Sequence, residues 1–221
     1  MAVEAVIWDF GGVITTSPFE AFRRYERERG LPRDFLRSVN AKNPDVNAWA
    51  RFERAEIDAD AFDAAFAQES EALGARVPGR DVIGLLAGDI RPRIVAALGA
   101  CKARYRVGCI TNNAPTGHGA GMARNADQAR QVAEVLAMFD EVIESSKIGL
   151  RKPDPRIYQM MCEKLAVAPR ACVYLDDLGV NCKPADALGM VAIKVDNEEQ
   201  ALADLARALG LELAELTGDA A

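Results

Sequence analysis

The stretch Ala5-Val6-Ile7-Trp8-Asp9-Phe10-Gly11-Gly12-Val13 decides the fold. Val6, Ile7 and Trp8 carry no charge and read as a strand buried on both faces, the pattern of a parallel sheet covered by helices. Asp9 then falls at the carboxyl end of that strand, the edge along which open α/β sheets hold their ligands. Gly11 and Gly12 let the backbone turn sharply and come close to a bound group. A simple strand-terminating Asp-x-Gly turn looks the same in isolation, so the rest of the chain has to separate the two readings.

Downstream, strand and helix patterns alternate. Residues 106–111, 141–144, 172–175 and 191–195 read as strands, and 123–138, 156–165, 181–188 and 198–209 as helices, Asp154-Pro155 capping the second of these. Alternation at this spacing implies an α/β fold with a doubly wound, mostly parallel, Rossmann-like sheet. Upstream, from Ser17 to Gly88, the pattern stays helical. Ser17-Pro18 reads as a helix start, and Phe19, Phe22 and Tyr25, then Phe35, Leu36 and Val39, then Trp49 and Phe52, then Phe62 and Phe66 mark successive apolar faces. This section shows no strand pattern and reads as an all-helical cap inserted after the first strand. A helix over 90–105 returns the chain to the sheet. The core therefore spans 1–15 and 90–221, and the cap 16–89. Right-handed crossovers put the carboxyl ends of parallel strands on one edge, and a cap leaving just after the first strand lies over it.

The 221 residues allow one large core with a smaller appended unit, and 50% hydrophobic with 27% charged residues is ordinary for a soluble globular protein. A net charge of -6, with Arg23-Arg24 and the group Lys102, Arg104 and Arg106 reading as solvated faces, argues against a nucleic-acid partner. No apolar run approaches the ~20 residues of a membrane span, and the first strand begins so early that no leader is expected ahead of it. The five cysteines are scattered without a CxxC pair and His118 is the only histidine, so no structural zinc site is expected, and a reducing, cytoplasmic setting is.

What the strands carry at their carboxyl ends is more telling. The first ends in Asp9, the second in Thr111-Asn112, and the fourth in Asp176-Asp177, while Lys152 lies in the loop after the third. Each has a structural explanation alone: Thr111-Asn112 suits a turn, and Lys152-Pro153-Asp154 and Asp176-Asp177 suit helix starts. Together they bring three carboxylates, a hydroxyl, an amide and an ammonium to one crevice. Asp9 and Asp177 suit a hard divalent cation such as Mg²⁺, with a backbone carbonyl and waters completing its shell. That cation, Lys152, the Thr111 hydroxyl and backbone N–H groups would neutralise a phosphate. Asp9 could attack phosphorus to give an aspartyl-phosphate, with Lys152 keeping it ionised.

The series Asp9-Phe10-Gly11-Gly12-Val13, Thr111-Asn112, Lys152-Pro153 and Leu175-Asp176-Asp177 resembles the four motifs of the haloacid dehalogenase (HAD) superfamily, in order and across the whole chain. The C-terminal half, from Lys152-Pro153-Asp154-Pro155 to Ala187-Leu188-Gly189-Met190, is similar to the phosphatase domain at the N-terminus of soluble epoxide hydrolases and in an acyl-CoA dehydrogenase-related protein. The resemblance implies a Mg²⁺-dependent hydrolase. Asp9 would be the nucleophile. Thr111, Asn112 and the Gly12 turn would hold the phosphoryl group, and Lys152 would stabilise its charge. Asp9, the Gly11 carbonyl and Asp177 would bind the metal, with Asp176 a direct ligand or one step removed. Asn181 is placed near the metal.

One position departs from the pattern. Most phosphatases of the superfamily carry a second Asp two residues after the nucleophile as general acid and base, a group typically worth roughly 10²–10⁴-fold; here it is Gly11. Some relatives with Asp-x-Gly are nonetheless counted as phosphatases. His118 follows the second motif and is a candidate replacement acid, but reads as a loop histidine between Gly117 and Gly119, Arg151 as a solvated neighbour of Lys152, and Trp49, Phe52, Phe62 and Phe66 as cap core. Three functions stay open. The first is a phosphatase of a small phosphorylated metabolite, since a cap excludes large substrates. The second is a 2-haloacid dehalogenase, which needs no metal and would set Asp176-Asp177 against a carboxylate substrate. The third is a regulatory phosphate- and metal-binding protein weakened by Gly11.

Overall fold

Five parallel strands form one sheet in the order β3-β2-β1-β4-β5. They are β1 (Ala5–Trp8), β2 (Arg106–Thr111), β3 (Glu141–Glu144), β4 (Cys172–Asp176) and β5 (Val191–Lys194). The computed structural model describes residues 2–116 and 122–217. The central position of β1 explains its composition: all four residues are buried, flanked by β2 and β4 and covered on both faces. Successive side chains of a strand point to opposite faces. Val6 and Trp8 accordingly pack with Ile94 and Leu98 of α6 (Pro92–Lys102), Leu202 and Leu205 of α11 (Glu198–Leu209) and Leu216 of α12 (Leu213–Thr217). Ile7 packs the other way, with Ile157, Tyr158 and Met161 of α9 (Pro155–Leu165) and Ala185 of α10 (Gly179–Ala187).

Between β1 and α6 the chain is all helical: α1 (Phe19–Glu28), α2 (Phe35–Ala41), α3 (Ala48–Glu53), α4 (Ala59–Glu71) and α5 (Gly79–Ile83). These helices share an apolar cluster in which the Phe52 and Phe62 rings stack at 4.5 Å, with Phe22, Phe35 and Phe66 around them. The cap thus has a core of its own. It leaves and rejoins the sheet through two paired segments: Thr15 bridges Ile90 antiparallel, Thr16 N–H donates to Asp89 O at 2.8 Å, and Arg91 N–H to Ile14 O at 2.9 Å.

That pairing shortens the helix expected over 90–105. It begins at Pro92, where proline's missing N–H costs nothing, because Ile90 and Arg91 are bonded to the outgoing segment. Asp154 caps α9 as expected, accepting Arg156 N–H at 3.0 Å. The short α5, α8 (Ser145–Ile148) and α12 are too brief to show a helical period. α7 (Ala126–Leu136) starts after its Asn125 cap rather than at 123. No helix among the described residues is long and apolar enough to cross a membrane.

Candidate active site

Trp8 pairs with Cys109 of β2 and Leu175 of β4, and Asp9 N–H extends the ladder by donating to Leu175 O at 2.8 Å. Asp9 is therefore level with Asp176 by register. The period-two alternation of the strands sends both carboxylates to the side of the sheet that carries Ile7 and Tyr174. Lys152 enters between them from the loop before α9. Its Nζ lies 2.7 Å from Asp9 Oδ1 and 2.8 Å from Asp176 Oδ2, and its side chain is 1% exposed.

Two neighbours fix that lysine. The Asn112 side chain clamps its main chain, Oδ1 accepting Lys152 N–H at 2.8 Å and Nδ2 donating to Lys152 O at 3.0 Å. The Asn112 side-chain amide is thereby spent on Lys152. Asp176 is equally committed. Its Oδ2 accepts Lys152, the Tyr174 hydroxyl and Asn181 Nδ2, and its Oδ1 accepts Leu178 N–H at 2.8 Å and Asn181 Nδ2 at 3.0 Å. A carboxylate so engaged orients the ammonium. Asn181 acts on it and not on a separate site.

Among the described residues, the Ser17 hydroxyl is the side chain that hydrogen-bonds Asp177, donating to its Oδ2 at 3.1 Å. Ser17, expected to cap α1, reaches Phe19 N–H only at 3.5 Å. Thr111 is buried at the end of β2 and has no side-chain hydrogen bond among the described residues. The two glycines differ sharply. Gly11 has φ -70° and ψ 128°, open to any residue, and nothing lies within 4 Å of where a Cβ would stand. Gly12 has φ +81°, and a Cβ there would lie 2.2 Å from Asp177 Oδ2. His118 and the rest of 117–121 lie outside the described residues.

One oxygen each from Asp9, Asp176 and Asp177 lies within 4.8 Å of the others. With three carboxylates around one ammonium, the cluster carries excess negative charge. Burial first, and then Asp176 and Asp177, raise the Asp9 pKa well above the carboxylate range, overriding the attraction of Lys152. Lys152 does pull the Asp9 pKa down, the direction expected of it, but burial acts more strongly in the opposite sense. Asp177 is pushed to about 6, again by burial and then by Asp176. Burial works against the Lys152 charge, but its two carboxylates outweigh that and keep it protonated. An all-oxygen, overcharged pocket is what a hard divalent cation suits, so these residues fit Mg²⁺.

Arg151 is no solvated neighbour: its Nε donates to Glu53 Oε2 of α3 at 2.6 Å. Nothing in the sequence paired these two residues. Gly12→Ala is expected to cut turnover by about 10²-fold or more while costing roughly 1–2 kcal/mol in stability. The clashing partner is the end of a side chain, so the added methyl pushes the Asp177 carboxylate aside instead of breaking the fold. Kinetics and melting compared with the parent chain check this, and unchanged kinetics would show that Asp177 need not sit where it does.

A doubly wound sheet, a helical cap and an acid–lysine cluster at the strand ends define a hydrolase of the capped HAD-like class. The haloacid dehalogenase-like hydrolase family model matches residues 3–189, and the chain belongs to that family. Bifunctional epoxide hydrolase 2 of Mus musculus is 30% identical over 227 residues, which cover 97% of this chain and 40% of the relative. The chain thus spans about 40% of that relative's length. A HAD family enzyme of Bacteroides thetaiotaomicron, solved with magnesium and inorganic phosphate, superposes with a TM-score of 0.56 at 18% identity, covering 87% of this chain and 94% of its own. A dehalogenase solved as an intermediate complex superposes with a TM-score of 0.66 at 17% identity, covering 96% and 99%. The fold accommodates both neighbours, so the choice of chemistry rests on the site.

Proposed function

We propose that this hydrolase is a Mg²⁺-dependent phosphatase of small phosphorylated metabolites, working through an aspartyl-phosphate at Asp9. The observation that carries this reading is the cluster of three carboxylates around one buried lysine, which holds more negative charge than Lys152 offsets. Such a cluster calls for a cation, and a cation with Lys152 makes a seat for a phosphate. Residues 16–89 would act as the cap over this seat, and 1–15 with 90–221 as the core that bears it.

Lys152 and Phe10 N–H both bind Asp9 Oδ1, at 2.7 Å each, which leaves Oδ2 to attack phosphorus. The Asp9–phosphorus bond forms as the bond to the leaving oxygen breaks. Water then displaces the carboxylate and releases inorganic phosphate. Lys152 and the Thr111 hydroxyl would steady the equatorial oxygens, and Asp176 acts by holding Lys152 in place. With the Asn112 amide committed, the backbone N–H groups of Asn112 and of the Gly12 turn are left for the phosphoryl oxygens. Mg²⁺ held by Asp9, Asp177 and the Gly11 carbonyl would offset the negative charge of cluster and phosphate. A panel of sugar, acyl and aryl phosphates assayed with and without Mg²⁺ tests the reading. No Mg²⁺-dependent phosphate release across the panel would sink it.

Gly11 supports a second reading, a 2-haloacid dehalogenase, since a departing halide needs no proton. Chloride release from 2-chloropropionate in EDTA would favour it. Under the phosphatase reading, the lack of an acid at this position slows poor leaving groups most. Gly11→Asp is expected to raise alkyl phosphate turnover by about 10-fold or more, with aryl phosphates changing less. The backbone accepts the new side chain and the space for it is open. A uniform change across leaving groups would show that protonation does not limit the rate.

A further inference from the structure

Glu53 lies in α3 of the cap, yet it is bonded to the core. Its carboxylate accepts the Trp49 indole N–H at 2.8 Å on Oε1 and Arg151 Nε at 2.6 Å on Oε2. Its backbone carbonyl accepts the hydroxyl of Ser145, the buried first residue of α8, at 2.7 Å. Arg151 reaches the cap a second time, Nη1 donating to Pro44 O at 3.0 Å. The Arg151 and Glu53 side chains are only 18% and 9% exposed, so their pair is largely withdrawn from the water that weakens surface ion pairs.

Three bonds thus cross from cap to core at one place, remote in sequence from the paired segments where the cap joins the sheet. Arg151 directly precedes Lys152, so the backbone that carries this contact also carries the ammonium between Asp9 and Asp176. Ser145 adds a parallel link: the hydroxyl it donates to Glu53 O also accepts Asn113 N–H at 3.1 Å, next to the Asn112 that clamps Lys152.

We propose that Glu53 is a positioning residue: through Arg151 it ties the seating of α3 to the placement of Lys152, adding to the hold that Asn112 and Asp176 keep on the lysine from the core. The kinetic consequence rests on the phosphatase reading, whereas the mechanical tie does not.

Amide hydrogen exchange on the full chain reads the tie without any turnover. The variants are Glu53→Gln, Arg151→Met, both together, and Arg54→Ala as a control. Arg54 bonds Glu56 at 2.7 Å and Asp45 O at 3.1 Å, contacts that stay inside the cap. Each single variant is expected to speed exchange about tenfold or more both in 48–53 and in 149–152, the pair together no further than either alone. Arg54→Ala should speed cap amides only. With a small phosphate ester, Glu53→Gln and Arg151→Met should lower kcat about tenfold with KM nearly unchanged, and Arg54→Ala neither. Faster exchange confined to the cap in Glu53→Gln, additive effects in the double variant, or loss of β1 and β4 protection along with the rest would each overturn the proposal. If the parent chain hydrolyses no phosphate ester, the phosphatase reading falls and exchange alone decides the tie.

Discussion

Asp9→Asn is expected to lower phosphatase turnover by about 10³-fold or more and, measured without metal, to raise the melting temperature. Both follow from one local charge balance. The amide is nearly isosteric and keeps an oxygen that can accept Lys152 and Phe10 N–H, so the geometry is retained while the nucleophile is lost. Ionised Asp9 is the group that burial, Asp176 and Asp177 disfavour, because its pKa is raised in the folded chain. A carboxylate whose folded pKa is raised costs the fold stability as pH rises from its ordinary unfolded pKa up through the raised folded one. Neutralising it removes that cost, with a gain of about 1 kcal/mol, or a few degrees. The check is a melting curve in EDTA beside a single-turnover assay in Mg²⁺. Full activity in the variant would remove Asp9 from the chemistry, and a lower melting temperature would contradict the charge excess.

Lys152→Met is expected to lose activity and stability together. Methionine fills much of the same space but cannot pair with a carboxylate. Asp9 and Asp176 would then face each other with Tyr174, Asn181 and Leu178 N–H still on Asp176 but no cation between them. Breaking a buried pair by removing one partner costs about 3–5 kcal/mol, or about 10 °C for a domain of this size. Asp9→Asn added to Lys152→Met should recover part of the loss, since it removes one of the stranded charges. Thermal melts of the two singles and the double give the coupling directly. Additive effects would mean that Lys152 and Asp9 do not share one balance.

Most of the fold was legible because burial on both faces and helical spacing leave strong local patterns. The apolar run ahead of Asp9 reads as a strand buried on both faces, and the aromatic spacing from Phe19 to Phe66 as helical with a core of its own. Four loops carrying Asp9, Thr111, Lys152 and Asp176-Asp177 pointed to one edge because parallel strands end on one edge. Side-chain commitments were not legible. That Asn112 spends its amide on the Lys152 main chain, or that Ser17 turns from α1 to Asp177, depends on loop paths that no periodicity encodes.

The balance of charge shows the division most clearly. The order of residues determined which ionisable groups reach the crevice, and that Gly11 brings no acid to it. Only the tertiary structure decided how they share their charge. Burial of Asp9 outweighs Lys152, and Asp176 is saturated by three side chains and a backbone N–H. Arg151 is drawn into the cap by Glu53, 98 residues away in sequence. Such outcomes turn on distance and desolvation across elements far apart in the chain, which sequence spacing does not record.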